Sequence, residues 1–189
     1  MARSAVGLAN ATYVWGGGNK NGPSTGIDYK GCSFSTMVGF DCSGLALYAV
    51  YQGTGKQLYH SAKTQYGSTD LGKRVALADL LPGDLVFFGT NNDPAQIYHV
   101  AVYVGNSELA EATDFDSSTC VGQDSVVRAF KTTRYGLIAH GMRFWDDTKT
   151  EPEPETGNMS EELQPPIHSG AGKLFLSFAI VLFSIGAIC

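Results

Sequence analysis

"DCSGLALYAVYQ", residues 41–52, opens with a lone cysteine between an aspartate and a serine and then runs into apolar residues at three- and four-residue steps. Leu45, Tyr48, Ala49 and Gln52 recur as they would on a helix buried on one side, and Gly53 and Gly55 supply a stop. Cys42 then sits at a helix N-terminus. The unsatisfied N–H groups and the macrodipole there favour an anion, so a thiolate is stabilised where a nucleophile needs it. A packed core thiol is the plain alternative, and this stretch alone leaves both readings open.

Working outward, "LLPGDLVFF" (80–88) reads as a Pro82-Gly83-Asp84 turn feeding an apolar strand, and "IYHVAVYVGN" (97–106) as a β-rich run ended by Gly105-Asn106. Ser125 to Phe130 and Leu137 to Phe144 are two more short runs that can complete a sheet. Ala2 to Ala11 reads as a short helix leading into the domain. Helices first and strands after argue for an α+β domain, helices packed on an antiparallel sheet.

The 189 residues, 43% of them hydrophobic, suffice for one substantial core. The formal charge of −5 is concentrated, because residues 146–168 hold seven acidic residues and only Lys149, whereas residues 1–145 hold eleven charges of each sign. A neutral domain without Lys/Arg clusters gives no footprint for nucleic acid, and no Cys/His set stands at zinc-finger spacing. We therefore expect three zones: a domain over 1–145, an acidic Pro-rich stalk over 146–168, and a tail over 169–189.

The tail ends in "LFLSFAIVLFSIGAIC" (174–189), uncharged but shorter than the ~20 residues of a helical span, with nothing basic after it. Upstream stand the small residues Ser169 to Gly172 and then Lys173, an order similar to a glycosylphosphatidylinositol (GPI) attachment signal. The short polar spacer permits Asn158 as a second attachment position. Such an anchor requires the secretory pathway, yet "MARSAVGLANATYVWGG" (1–17) has no basic start followed by a long apolar stretch. The expectation is an extracellular, membrane-anchored protein whose true start lies upstream. Sequons occur at Asn10 and Asn158.

A thiolate nucleophile needs a base. His99 is the one histidine embedded in an expected strand; His60 precedes a probable short helix, His140 lies near the domain's end and His168 in the stalk. Residue types alone do not separate a catalytic pair from a packed thiol and a satisfied strand histidine. The company they keep does: "YVWGG" (13–17), "DCSGL" (41–45), "LLPGDLVFF" (80–88) and "HVAVYVGN" (99–106) stand in the order and approximate spacing of the NlpC family of papain-like cell-wall cysteine peptidases, which the chain resembles over nearly all of residues 2–145. The resemblance implies hydrolysis of an amide in the stem peptide of bacterial peptidoglycan, commonly the bond between γ-D-glutamyl and a diamino acid. It implies Cys42 as nucleophile, His99 as base and then acid, Tyr13 as a hydroxyl over the thiol, and Asp41 and Ser43 as residues that help hold the stem peptide. No metal or cofactor is required for that chemistry.

The chain parts from the family pattern twice. Between Trp15 and Asp41 lies a long Gly-rich connection, a candidate lid or specificity loop that matches no phosphate-loop pattern. Where the family commonly places an orienting histidine, "GNSELAEA" (105–112) places Glu111, whose carboxylate can hold an imidazole in the same way; an exposed strand glutamate is the alternative. Cys32 and Cys120 are left as a disulfide or as free thiols. A GPI signal would make the host a eukaryote and the peptidoglycan foreign. Two other classes stay open: a cell-wall-peptide binding module without activity, and a thiol amidase or acyltransferase using the same Cys/His pair.

Overall fold

The computed structural model describes residues 1–147 apart from Ala9. The stalk and tail beyond Asp147, with Asn158, Ser169 and the apolar run, lie outside the described residues. In chain order the elements are α1 (Ala2–Val6), β1 (Ser24–Thr25), β2 (Val38–Gly39), α2 (Cys42–Thr54), α3 (Ala62–Gly67), β3 (Lys73–Ala76), β4 (Leu85–Gly89), β5 (Ile97–Gly105), β6 (Glu108–Glu111), β7 (Phe115–Asp116), β8 (Val121–Gly122), β9 (Val126–Ala129) and β10 (His140–Arg143). Six strands form one antiparallel sheet in the order β3-β10-β4-β5-β6-β9. The fold is therefore α+β, with helices ahead of the sheet.

The ends of α2 are fixed locally. Asp41 is extended (φ −91°, ψ 179°) and its carboxylate accepts the Gly44 N–H at 2.7 Å, an N-cap that satisfies one orphan donor of the first turn. At the other end Gly55 adopts φ 71°, the left-handed conformation a helix stop needs, and its N–H returns to the Tyr51 carbonyl at 2.8 Å. The expectation of a helix buried on one side does not hold. Ser43 to Leu47, Ala49 and Val50 are all buried, whereas Tyr48 is half-buried and Gln52 is exposed. The reason is tertiary: α1 and the central strand β5 both pack against α2, so its first turns have no solvent face.

The main core lies between these helices and one face of the sheet, where Ala46, Ala49, Val50 and Tyr66 meet Phe87, Val100, Val102 and Met142. On the opposite face Val86, Phe88, Ala101, Leu109 and Leu137 form a second cluster. Every residue of β4 is buried, as a strand covered on both sides requires. The Pro82-Gly83-Asp84 turn ends on a buried ion pair: Asp84 receives Arg143 Nε at 2.8 Å and Nη2 at 2.6 Å, and its Oδ2 also accepts the Leu81 N–H. Arg143 reaches Asp147 at 2.7 Å and Lys73 pairs with the same carboxylate, so contacts of the domain continue two residues past Trp145.

The Gly-rich connection folds down onto the start of α2. A Cβ at Gly44 would lie 2.1 Å from the Gly17 carbonyl oxygen, so only glycine allows this approach. The Asp41 N–H donates to that same Gly17 oxygen, and Asp41 Oδ2 accepts the Gly16 N–H. Cys32 and Cys120 form a disulfide that ties this connection to the β7–β8 hairpin. Phe115 packs between, parallel to Tyr13 (centroids 6.1 Å) and edge-on to Phe34 (4.8 Å).

Candidate active site

An open cleft of about 720 Å³ runs over the start of α2 and the end of β5. Tyr13, Asp41, Cys42, Ser43, His60, Lys63, His99, Asp114 and Arg134 contribute to its walls, so all the residues singled out from the sequence except Glu111 line one cavity. Cys42 is the first residue of α2 and the free cysteine of the described chain. Its N–H has no carbonyl one turn earlier to bond within the helix, which leaves a donor beside the thiol.

His99 stands on β5 directly opposite Phe88 on β4, their rings 5.6 Å apart, and is 7% exposed. Its Nε2 lies 2.7 Å from Glu111 Oε2, which leaves Nδ1 as the nitrogen for Cys42. Burial alone would lower the pKa of this ring. Hydrogen bonds to Cys42 and Glu111 and the negative charge at both outweigh burial and raise it to about 9. His99 thus carries its proton at neutral pH, between two acceptors.

Glu111 is the fourth residue of β6 and is 0% exposed, not the exposed strand glutamate of the alternative reading. Its carboxylate is surrounded by cations. Beyond His99, Arg134 Nη1 bonds both oxygens at 2.9 and 3.0 Å and Arg128 Nε meets Oε1 at 2.9 Å. Burial would raise Glu111, but the His99 and Arg134 hydrogen bonds and their charges prevail and hold it at about 2. It is ionised throughout the working range of pH. The register explains the company: Glu111 pairs with Val126 on β9, which puts Arg128 on its diagonal, two residues along the same face.

Asp41 and Ser43 occupy the cleft, but their polar atoms are already engaged. Asp41 accepts the Gly16 and Gly44 N–H groups, Ser43 Oγ at 2.9 Å and His60 Nε2 at 2.9 Å, and its role in positioning the start of α2 is plain. His60 is held by that bond, which raises its pKa against the opposing effect of burial. Tyr13 is 4% exposed, and its hydroxyl is raised above the ordinary phenol range by burial and then by negative charge at Cys42 and Asp41. It remains a protonated donor facing the thiol. Sequence reasoning missed His60, Arg128 and Arg134. His60 lies 19 residues after Asp41, just before the N-cap Ser61 of α3, and no local pattern links the two; "RAFKTTR" (128–134) likewise carries no signal for the arginines.

Chemically the arrangement is a thiol beside a protonated imidazole, the imidazole backed by a buried carboxylate, with a phenol and a free backbone N–H nearby. It is equipped for nucleophilic attack on a carbonyl and proton delivery to a leaving amine.

The family model for NlpC/P60 matches residues 10–135. The peptidoglycan endopeptidase RipA of Mycobacterium tuberculosis is 40% identical over 114 residues, 60% of this chain and 22% of RipA. The chain thus spans about a fifth of the length of that relative. The structure of the peptidoglycan hydrolase RipB from the same organism has a TM-score of 0.60 at 33% identity, covering 76% of this chain and 62% of that one. RipD of M. tuberculosis, described as a non-catalytic NlpC/p60 domain protein adapted to peptidoglycan binding, has a TM-score of 0.59 at 28% identity, over 76% of this chain and 93% of that one. Solved structures of RipA include forms mutated at a histidine, at a cysteine and at a glutamate. The last of these has a TM-score of 0.60 at 34% identity, over 75% of this chain and 59% of that one, and its glutamate stands twelve positions after the histidine, as Glu111 does after His99.

Proposed function

The chain belongs to the NlpC/P60 family, and on that premise we propose that it is a cysteine endopeptidase that hydrolyses amide bonds in peptidoglycan stem peptides, at the γ-D-glutamyl–diamino acid bond. The observation that carries the reading is His99, buried, with Nε2 2.7 Å from the Glu111 carboxylate and in the same cleft as Cys42, whose interaction helps raise the pKa of the ring. RipA and RipB, named as peptidoglycan hydrolases, support the substrate class.

The mechanism follows from the positions. The thiolate of Cys42, its proton held by His99, adds to the amide carbonyl. The oxyanion that forms is met by the Cys42 N–H, with the Tyr13 hydroxyl as a second donor. His99 gives its proton to the leaving amine, and an acyl-enzyme remains. The neutral ring then takes a proton from water, the hydroxide adds to the thioester, and the thiolate leaves. Glu111 holds the ring and offsets the imidazolium charge throughout.

RipD gives a second reading, a binding module, because it shares the fold. The presence of Cys42 and His99 in one cleft, with Glu111 bonded to His99, favours the enzyme. Residues 1–147 incubated with purified peptidoglycan fragments, with new termini identified by mass spectrometry, decide between them: new termini absent from the Cys42→Ala control support the peptidase, and binding without cleavage supports the module.

The protein acts outside the cell in this reading, held at a surface by a glycolipid attached at Ser169 or Asn158; the order of small residues, Lys173 and apolar run supports it. Expressed in a eukaryotic cell behind a working signal peptide, it should be released by a phosphatidylinositol-specific phospholipase. Retention with Cys189 still present would point to a membrane span instead.

A further inference from the structure

Gln65 is buried as completely as Glu111, yet no step of the mechanism uses it. It stands on α3 and is not among the residues that line the cleft. Its Nε2 donates at 2.9 Å to the Ser43 carbonyl in the first turn of α2 and at 2.9 Å to the Tyr59 carbonyl in the connection that leads into α3. One amide thus ties together two stretches of chain that neither helix joins.

Folding does not require this tie. Within α2 the Ser43 carbonyl also accepts the Leu47 N–H, as helical carbonyls do from four residues on, and the Tyr59 carbonyl accepts the Ser61 N–H at 3.0 Å. Neither would be orphaned without Gln65. The amide itself is only half satisfied: among the described residues its Oε1 is buried and has no partner, and an unpaired buried acceptor opposes folding. Its neighbours on α3, Ala62 and Tyr66, belong to the main apolar core, where a methionine of similar length would pack. A polar residue that weakens the core at such a place points to a function for the amide.

What the tie fixes lies around the nucleophile. Between Tyr59 and α3 stand Ser61, whose Oγ caps α3 at the Thr64 N–H, and His60, whose Nε2 lies 2.9 Å from Asp41 Oδ1. The same Asp41 oxygen accepts Ser43 Oγ at 2.9 Å and the Gly44 N–H at 2.7 Å. Gln65, Ser43, Asp41, His60 and Tyr59 therefore close a ring of contacts, and Cys42 is held in it between Asp41 and Ser43. The His99–Glu111 pair is set separately, by the pairing of β5 with β6.

We infer that Gln65 is a positioning residue, whose amide clamps the Tyr59–Ser61 connection onto the first turn of α2 and so holds His60 against Asp41 as one wall of the cleft beside Cys42. The kinetic part of its test rests on the peptidase reading above; the clamp itself does not.

Three quantities are measured on the full chain, in the parent and in Gln65→Met: the melting temperature, kcat and KM for one defined stem fragment, and the titration midpoint of His60 by NMR. The melting temperature should stay within about 2 °C of the parent, because two hydrogen bonds and one orphan acceptor are lost together. kcat/KM should fall roughly 10–100-fold, as it does when a group shifts by about 1 Å. The loss should lie mainly in KM, because Asp41, Ser43 and His60 form a wall that meets the substrate while His99 and Glu111 stay in register. The His60 midpoint, held above 6.5 by its hydrogen bond to Asp41, should fall toward 6.5. A melting temperature lowered by several degrees with KM unchanged, or a variant that does not fold, overturns the inference and makes Gln65 a structural residue. An unmoved His60 midpoint or parent-like kinetics overturns it as well. A parent that cleaves no stem fragment overturns the peptidase reading instead, and the His60 midpoint then decides the clamp alone.

Discussion

Replacing Glu111 separates its electrostatic role from its structural one. The side chain is wholly buried, accepts from His99 at 2.7 Å and from Arg134 at 2.9 and 3.0 Å, and is ion-paired with Arg128 Nε at 2.9 Å. Glu111→Gln keeps the size and one carbonyl acceptor but deletes the charge and turns an NH2 toward donors. Glu111→Ala deletes everything. For hydrolysis the expected order is parent, then Glu111→Gln, then Glu111→Ala, with Cys42→Ala lowest; the loss in kcat is on the order of 10⁴ for Glu111→Ala, as for the orienting carboxylate of a triad, and on the order of 10⁶ for Cys42→Ala. Stability should fall too. Removing one partner of a buried ion pair costs about 3–5 kcal/mol, but Arg128 and Arg134 are 46% and 32% exposed and can recover water, so about 2 kcal/mol is expected for Glu111→Ala. In a domain of this size that lowers the melting temperature by roughly 4–8 °C. The assay is cleavage of one defined stem fragment across a range of pH, alongside thermal unfolding of each variant. Parent-like activity for Glu111→Ala would refute the reasoning, and if only its melting temperature dropped, Glu111 would be a structural anchor for the two arginines and nothing more.

Other outcomes follow from the same geometry. Cys42→Ser should abolish hydrolysis with unchanged unfolding, because the hydroxyl fits the site but is far harder to deprotonate; a serine variant as fast as the parent would remove Cys42 from the chemistry. His99, raised from 6.5 to about 9, gives a stabilising contribution that is complete below about pH 6.5 and lost as pH rises through 9, so kcat/KM should fall on an alkaline limb near 9. Titration of His99 by NMR in Cys42→Ala should show a lower midpoint than in the parent, since the thiol's contribution is gone; an unmoved midpoint would mean the two side chains do not interact. Finally, the Cys32–Cys120 bridge joins residues 88 apart, for which loop-closure entropy predicts about 4–5 kcal/mol at most. The double Cys→Ser variant should melt about 10 °C lower, and a change below ~2 °C would show that the unfolded chain is little constrained by the bridge.

The sequence by itself determined the parts of this protein that depend on neighbours a few residues away. Asp41 caps α2 and Gly55 ends it through contacts within one turn, so the position of Cys42 at a helix start was legible, as were the turn at Gly83 and the strands holding Phe87 and His99. The four motifs in register supplied the family resemblance and named Cys42, His99 and Tyr13, and Glu111 was read at the position where the chain departs from the family's orienting histidine. What escaped was set between elements. β3, with the composition Lys-Arg-Val-Ala, has no strand pattern of its own and exists because β10 pairs with it. The burial of α2 on nearly all sides is decided by α1 and β5 packing onto it. The disulfide had no local signal, because only the folded chain brings Cys32 and Cys120 to a Cα separation of 5.4 Å. The environment of Glu111 is the sharpest case. Its residue type allowed an orienting carboxylate, but its burial, its ion pair with Arg128 and its hydrogen bonds from Arg134 come from the β6–β9 register and from the chain folding back at residue 134. Charge is read along a sequence one residue at a time, whereas the field a buried carboxylate feels is the sum over side chains that only the tertiary structure brings together.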